Sequence, residues 1–315
     1  YVADGIAMQA DDLVITNGAM EALNLCLTAV TRPGDAVVIE SPTFYAALQA
    51  LERNGLRAIE APTHPSLGIE LDALETILRT QRPRACWLMT NFQNPLGSLM
   101  PDDKKRRLVE LLTRYDTPLI EDDVYAELFF GERRPTPAKA FDREGLVLHC
   151  SSFSKSLAPG YRIGWAVPGR YAQAVARLKL SASLTASIPA EAALAAYLGS
   201  AGYDRHLRRL RRSLATQRDR MLEAIGNYFP EDTRATRPQG GYFVWVQCPR
   251  GVDAIGVYEQ ALAAKISVAP GPVFSSRRRF RNYLRINYGS PWDATIESAV
   301  RTLGRLVARF GADRN

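Results

Sequence analysis

Short apolar runs alternate with amphipathic stretches along the first half of the chain, and this alternation limits the folds open to it. LVIT at 13–16, AVVI at 36–39, ACWLMT at 85–90, PLIE at 118–121 and LVLHC at 146–150 read as buried strands. Between them lie helix-period segments. Ala19, Leu23, Cys26, Leu27 and Val30 share one helical face. So do Leu108, Leu111, Leu112 and Tyr115 in 101–115, where Pro101 stands at the helix start. Strand–helix–strand alternation implies a mostly parallel sheet covered by helices, an α/β fold. The pattern changes at 203–228, a long charged helix. Beyond it YFVWV at 242–246, ISVAP at 266–270 and YLRIN at 283–287 read as short strands, separated by helices near 253–264 and 291–310. The expected organisation is a large domain over residues 1–210 and a small C-terminal α+β domain over 211–315.

Composition narrows the function classes. Hydrophobic residues make up 46% and charged residues 23%, ordinary for a globular protein, and no apolar run nears the roughly 20 residues of a membrane span. No signal peptide is visible, and Tyr1 falls in a helix-like segment, so a preceding segment is expected. Cys26, Cys86, Cys150 and Cys248 are widely spaced in apolar stretches, which predicts buried free thiols and a cytoplasmic protein. His64, His149 and His206 share no ligand spacing, so no metal site is expected. The net charge is +7, with clusters at Arg205–Arg212 and Arg277–Arg281. A solvated helix face and an exposed loop account for these clusters. A nucleic-acid face is the other reading.

The chemistry concentrates in Ser151-Ser152-Phe153-Ser154-Lys155-Ser156-Leu157-Ala158-Pro159-Gly160-Tyr161-Arg162-Ile163-Gly164-Trp165. A lysine directly after a buried strand can form a Schiff base with an aldehyde cofactor. Ser152, three residues earlier, and Arg162, seven later, could hold that cofactor's phosphate. A surface lysine in a Ser-rich loop is the alternative for Lys155 taken alone.

With this motif the chain resembles the fold-type I, class I/II aminotransferases, from about residue 11 to 307. Several further motifs match in order. Thr16-Asn17-Gly18-Ala19-Met20-Glu21 corresponds to the phosphate cup at a helix start. There Gly18, Ala19 and Met20 would serve through backbone groups. Glu40-Ser41-Pro42-Thr43-Phe44-Tyr45 matches the segment with the ring-stacking aromatic, Phe44 first and Tyr45 second. A core aromatic is the other reading. Asn91-Phe92-Gln93-Asn94-Pro95-Leu96-Gly97 resembles the Asn-Pro-x-Gly turn, and Asn94 would bond the cofactor's phenolic oxygen beside the substrate. In Ile120-Glu121-Asp122-Asp123-Val124-Tyr125 the resemblance places Asp122 against the pyridine nitrogen and Tyr125 on the phenolic oxygen. The alternative is a trio of acids capping a loop. Arg285, inside the apolar strand YLRIN, matches the arginine that grips a substrate carboxylate, with a structural ion pair as the alternative.

The resemblance thus implies the fold of PLP-dependent transferases of type I, and pyridoxal 5'-phosphate (PLP) held by Lys155. Lys155, Asp122 and Tyr125 would be catalytic, an amino acid and a 2-oxo acid the substrates, and a homodimer the assembly. ESPTFYAALQ, NFQNPLGSLM, CSSFSKSLAPGYRIGW, PQGGYFVWV and SVAPGPVFS are most similar to the aminotransferase-like C-terminal domain of MocR-type regulators in the GntR superfamily. That implies a winged helix-turn-helix DNA-binding domain and an N-terminal arm upstream of Tyr1. Two functions follow: the effector domain of a transcription regulator, or a free-standing metabolic aminotransferase.

Overall fold

The computed structural model describes residues 1–312; positions 313–315, the end of the expected small domain, lie outside the described residues. Eight strands form the large sheet: β1 (Val14–Thr16), β2 (Ala36–Ser41), β3 (Arg57–His64), β4 (Gly68–Ile69), β5 (Ala85–Leu88), β6 (Leu119–Asp122), β7 (Val147–Ser152) and β8 (Gly164–Val167). Their order is β1-β8-β7-β6-β5-β2-β3-β4. The five strands from β7 to β3 are parallel, whereas β8 runs against β7 and β1, and β4 runs against β3. The sheet is therefore mostly parallel, as the alternation predicts.

Helices α1 (Ala19–Val30), α2 (Tyr45–Arg53), α3 (Leu71–Gln81), α4 (Asp102–Arg114), α5 (Ala172–Ser183) and α6 (Ile188–Leu198) belong to this part of the chain. Successive strand residues point to opposite faces, so each parallel strand feeds two cores. Val37, Ile39, Trp87, Ile120 and Leu148 pack with α1, α2 and α5. Val38, Cys86, Leu88, Leu119 and Val147 pack with α3 and α4. This two-sided burial explains why β2, β5, β6 and β7 read as continuous apolar runs. The half-exposed β3 gives no such run and the antiparallel β8, though apolar, is only four residues long, and the sequence pattern passed over both.

Helix α7 (Gly202–Tyr228) is continuous for 27 residues, so a boundary at 210–211 falls inside it. Its C-terminal half joins α8 (Ala254–Ala263) and α9 (Ala294–Ala312) in covering a second sheet. That sheet comprises β9 (Arg234–Ala235), β10 (Phe243–Gln247), β11 (Ala269–Pro270) and β12 (Tyr283–Asn287), in the order β11-β12-β10-β9. The ISVAP strand is shorter than its composition suggests. Only Ala269 and Pro270 pair, on an edge, where a proline lacking its N–H is tolerated. All four cysteines are buried and free. Cys26 and Cys150 approach to 3.6 Å between sulfurs, too far for a bond. Among the described residues no helix is long and apolar enough to cross a membrane.

One close approach fixes the start of α1 relative to β8. A Cβ added at Gly164 would lie 2.7 Å from the Ala19 backbone nitrogen, whereas at Gly160 nothing lies within 4 Å. Gly164→Ala should therefore cost about 1–3 kcal/mol, because the neighbour is backbone rather than a movable side chain. Gly160→Ala should be close to neutral. Paired thermal or urea denaturation checks this, and equal stability of the two variants would contradict the packing argument.

Candidate active site

In a parallel sheet the strand carboxyl ends gather at one rim, and loops there meet helix N-termini. This chain places its candidate residues on that rim. Asp122 ends β6, Ser152 ends β7, Asn94 follows β5, Phe44 follows β2, and Gly18 precedes α1. A cavity there is lined by Ala19, Met20, Phe44, Asn94, Asp122, Tyr125, Ser152, Lys155 and Arg162. Nine of the residues selected from sequence thus meet in one cleft. Tyr45, the second aromatic candidate, instead sits against Phe274, with its ring 5.9 Å from the Arg285 guanidinium.

Arg162 closes the α1 end. Its guanidinium donates to the Asn17 carbonyl (3.3 Å) and to Ser154 Oγ (3.2 Å). The side chain lies over Gly18, where any Cβ would overlap its Nη2 atom, and Gly18 has φ 86°. Glycine is thus required at this turn for space and for conformation. Arg162 itself has φ 54°, a left-handed conformation rare for a non-glycine residue and one that clusters at ligand sites. An arginine beside a helix N-terminus makes an anion site. Ser152 is buried next to it, and its Oγ accepts from the Ser154 N–H at 3.4 Å. Lys155 is exposed, with Nζ 6.0 Å from the Tyr242 ring centre.

The opposite end is acidic and dry. Asp122 is 1% exposed and its Oδ1 has no hydrogen-bond partner. Burial, with the Asp123 carboxylate alongside, pushes it up to about 7. Glu40, at the end of β2, accepts from the Met89 N–H through Oε2 (3.0 Å) while Oε1 is bare, and burial pushes it up to about 8. Burial raises the Tyr125 phenol well above its ordinary range. The three acids of Glu121-Asp122-Asp123 do not cap a loop together. Glu121 accepts from Thr90 Oγ1 and from the amides of Ala138 and Lys139, and Asp123 binds His149, Asn91 and Arg134. Only Asp122 is left open, and it faces the cleft.

Arg285 stands outside the lining but touches it, donating to Asn94 Oδ1 at 2.9 Å. Phe243 and Phe274 flank its guanidinium at 5.2 Å, and its Nε is buried without a partner. Among the described residues no carboxylate lies within ion-pair distance of it, which disfavours a structural ion pair. Sequence reasoning missed Ser154, Met89, Val124 and Leu23 in the lining, and Tyr242 near Lys155. Ser154 was adjacent to Lys155 in the motif; the others carried no local signal. In the arginine clusters, Arg211 binds Glu127 and stacks on Phe129 at 3.7 Å, while Arg277–Arg279 are exposed. Among the described residues no three His, Cys, Asp or Glu side chains converge as metal ligands do.

Comparisons with known proteins identify the relatives of this chain. Residues 2–303 match the family of class I and II aminotransferases. The chain is 48% identical over 307 residues to the uncharacterized HTH-type transcriptional regulator YdcR of Escherichia coli, covering 98% of this chain and 66% of that protein. It is 34% identical to a 2-aminoadipate transaminase of Thermus thermophilus, covering 98% of this chain and 78% of that one. The solved α-aminoadipate aminotransferase LysN from Thermus thermophilus, complexed with N-(5'-phosphopyridoxyl)-L-leucine, superposes with a TM-score of 0.92. It shares 33% identity, with 99% of this chain and 80% of that one covered. The chain spans about two thirds of the length of the Escherichia coli regulators it matches, 66% and 65%. With its type I fold and these matches, the chain belongs to the class I and II aminotransferases, and its cofactor is pyridoxal 5'-phosphate.

Proposed function

We propose that this chain binds PLP in the rim cleft through the Lys155 amine, acts there on an amino acid, and serves as the effector domain of a MocR-type transcription regulator. The carrying observation is the convergence of Lys155, the partnerless carboxyl oxygen of Asp122 and the Arg162 anion site on one cavity. The three suit one molecule bearing an aldehyde, a basic ring nitrogen and a phosphate. Ser152, Arg162 and the Gly18, Ala19 and Met20 backbone hold the phosphate. Phe44 covers the ring, and Asn94 and Tyr125 bond its phenolic oxygen.

Bound there, the cofactor supplies a conjugated ring that accepts the electron pair left when an amino acid's α-proton departs. Asp122 holds a proton on the ring nitrogen, which strengthens that ability. The proton would satisfy its bare oxygen. Arg285, already oriented by Asn94 and its aromatic walls, takes the α-carboxylate. The Lys155 amine would take up the α-proton and give it back, as general base and then general acid.

The regulator reading is supported by the 48% identity to YdcR and by the third of that protein's length beyond the match, where a DNA-binding domain would lie. A metabolic aminotransferase is the second reading, favoured by the transaminase relative whose length the chain covers to 78%. A homodimer is supported by exposed apolar residues on α5, α6 and their connection: Leu180 (61%), Leu184 (73%), Ile188 (61%) and Leu198 (41%). A cytoplasmic location agrees with the four free thiols.

Borohydride reduction of the PLP-loaded protein should leave a pyridoxyl group on Lys155, found by peptide mapping, and Lys155→Ala should abolish the visible absorption band. A label on another lysine would remove the assignment. In the full-length protein, specific DNA binding that responds to an amino acid and loses this response in Lys155→Ala supports the regulator. Turnover with a 2-oxo acid and no DNA binding supports the enzyme.

Asp122 and Glu40 both have folded-state affinities for protons raised above those of unfolded chains, to about 7 and about 8. Their contribution to stability is complete below their unfolded values and is lost as pH rises through the folded ones. The cofactor-free protein should therefore weaken by at least about 2 kcal/mol between pH 5 and pH 8.5. Glu40→Gln should flatten that slope. Chemical denaturation across this window measures it, and a flat parent profile would contradict the dry acidic floor.

For the assembly, Leu184→Asp should shift sedimentation from dimer to monomer. A dimer that persists unchanged would move the interface elsewhere.

A further inference from the structure

The N-terminal segment is fastened at two points, and both lead to Asp123. At the first, Tyr1 Oη accepts from Trp165 Nε1 at 2.8 Å and lies 2.7 Å from His149 Nδ1. At the second, Asp4 pairs with Arg134 Nη1 at 2.9 Å. Ile6 is buried nearby in sequence, whereas Val2 points to solvent at 86% exposure.

The direction of the first chain follows from its two ends. An indole N–H can only donate and an ionised carboxylate can only accept, so Trp165 donates to the Tyr1 oxygen, His149 Nε2 carries a proton toward Asp123, and Tyr1 is free to give its own proton to His149 Nδ1. Nδ1 is then bare and Nε2 carries the ring proton. That proton points at Asp123 Oδ2, 3.1 Å away. The other oxygen is set the same way. Lys105 Nζ donates to Asn91 Oδ1 at 2.7 Å, which turns the Asn91 amide N–H toward Asp123 Oδ1 at 3.0 Å. Arg134 Nη2 reaches Asp123 Oδ2 at 3.5 Å, and the same guanidinium binds Glu127. The charged and titratable groups around Asp123 are thus His149 on β7, Arg134 with Asp4 and Glu127, Lys105 on α4, and Asp122 on β6. Burial alone would raise the Asp123 carboxyl. The His149 hydrogen bond, with His149 and Arg134 beside it and Asn91, holds it below the usual range instead. Its negative charge in turn bears on Asp122.

We propose that Tyr1 and His149 are positioning residues: the docked N-terminal segment, through the one-way chain Trp165–Tyr1–His149–Asp123, fixes the Asp123 anion beside the cleft-facing carboxyl of Asp122. This rests on the reading of Asp122 as the cofactor's ring partner. Residues 1–6 are then a coupling element. Pulling Tyr1 away leaves His149 Nδ1 without its donor and the ring without its anchor, Asp123 loses a directed donor while keeping its charge, and Asp122 feels a less compensated like charge. An event at the N-terminal end is thereby read electrostatically at the cleft, with no movement of the large sheet.

The test compares the parent with Tyr1→Phe, which keeps the ring and removes the hydroxyl. Imidazole nitrogen NMR of the cofactor-free protein should report Nε2–H with a hydrogen-bonded Nδ1 for His149 in the parent, and an Nδ1 resonance shifted by the loss of that bond in Tyr1→Phe. Carboxyl-carbon titration should move Asp123 up by roughly half to one pH unit and Asp122 up by less. The visible band of the PLP-loaded protein should shift its pH midpoint in the same direction as Asp122. Trp165→Phe is the second variant. It leaves the Tyr1 hydroxyl but removes the donor that holds it, so a smaller change in the same direction is expected. Unchanged ring nitrogens and carboxyl titrations in both folded variants would overturn the relay. Borohydride mapping in each variant separates the two claims. A label on Lys155 with unmoved titrations sinks the relay alone, and a label elsewhere sinks the cofactor reading on which it rests.

Discussion

Burial of four carboxyl groups at the ends of β2 and β6 is the constraint on which the rest of the site depends. A carboxylate taken out of water is costly unless hydrogen bonds or cations replace its solvation. Glu121 receives a hydroxyl and two amides, and Asp123 receives an imidazole, an amide and a guanidinium. These bonds tie the loops after β5 and β6 to the sheet and to β7. Glu40 is half satisfied and Asp122 keeps one oxygen bare. The satisfied acids act as structure. The unsatisfied one at the cleft is open to a cationic donor, which would remove an existing cost.

The second sheet contributes through a single strand. Arg285 pairs opposite Trp245 in register, and β12 carries it to the Asn94 loop of the large sheet. Its guanidinium is walled by Phe243 and Phe274 and has no described carboxylate beside it. A guanidinium oriented by a neutral amide and aromatic faces remains available to an incoming carboxylate, because no fixed anion competes for it. On the proposed reading the large sheet would supply the cofactor cleft and the small one the carboxylate grip. The Arg285–Asn94 hydrogen bond is their direct link at the site.

The N-terminal segment gives the same acidic floor a second use. Tyr1 and Asp4 lead to Asp123 by two separate routes, through His149 and through Arg134. A group that stabilises a buried anion also sets the field felt by its neighbour. Asp122, the last residue of β6, immediately precedes Asp123, so on this proposal a change at Asp123 would be felt at the cleft.

Much of this was legible in the sequence for a physical reason. Parallel strands buried on both faces must be apolar throughout, so β2, β5, β6 and β7 announced themselves. Residues at their ends had to lie at one rim, so Asp122, Ser152 and Asn94 could be grouped before any coordinates. Gly18 and the Ser152–Lys155–Arg162 spacing fixed local turns that depend on few distant contacts. The half-exposed β3, the short β8 and the unbroken course of α7 through position 210 depend on what packs against them, and local pattern did not specify them. Nor could sequence say which of three consecutive acids would be left open. Glu121, Asp122 and Asp123 are chemically alike in a row. Their different fates come from Thr90, Ala138, Asn91, Arg134 and His149, brought from other elements. The sequence by itself determined the parallel sheet, its reactive rim and the residues gathered there. Only the tertiary structure decided which carboxyl is satisfied and that Tyr1 reaches the floor beneath it, because both follow from long-range hydrogen bonds.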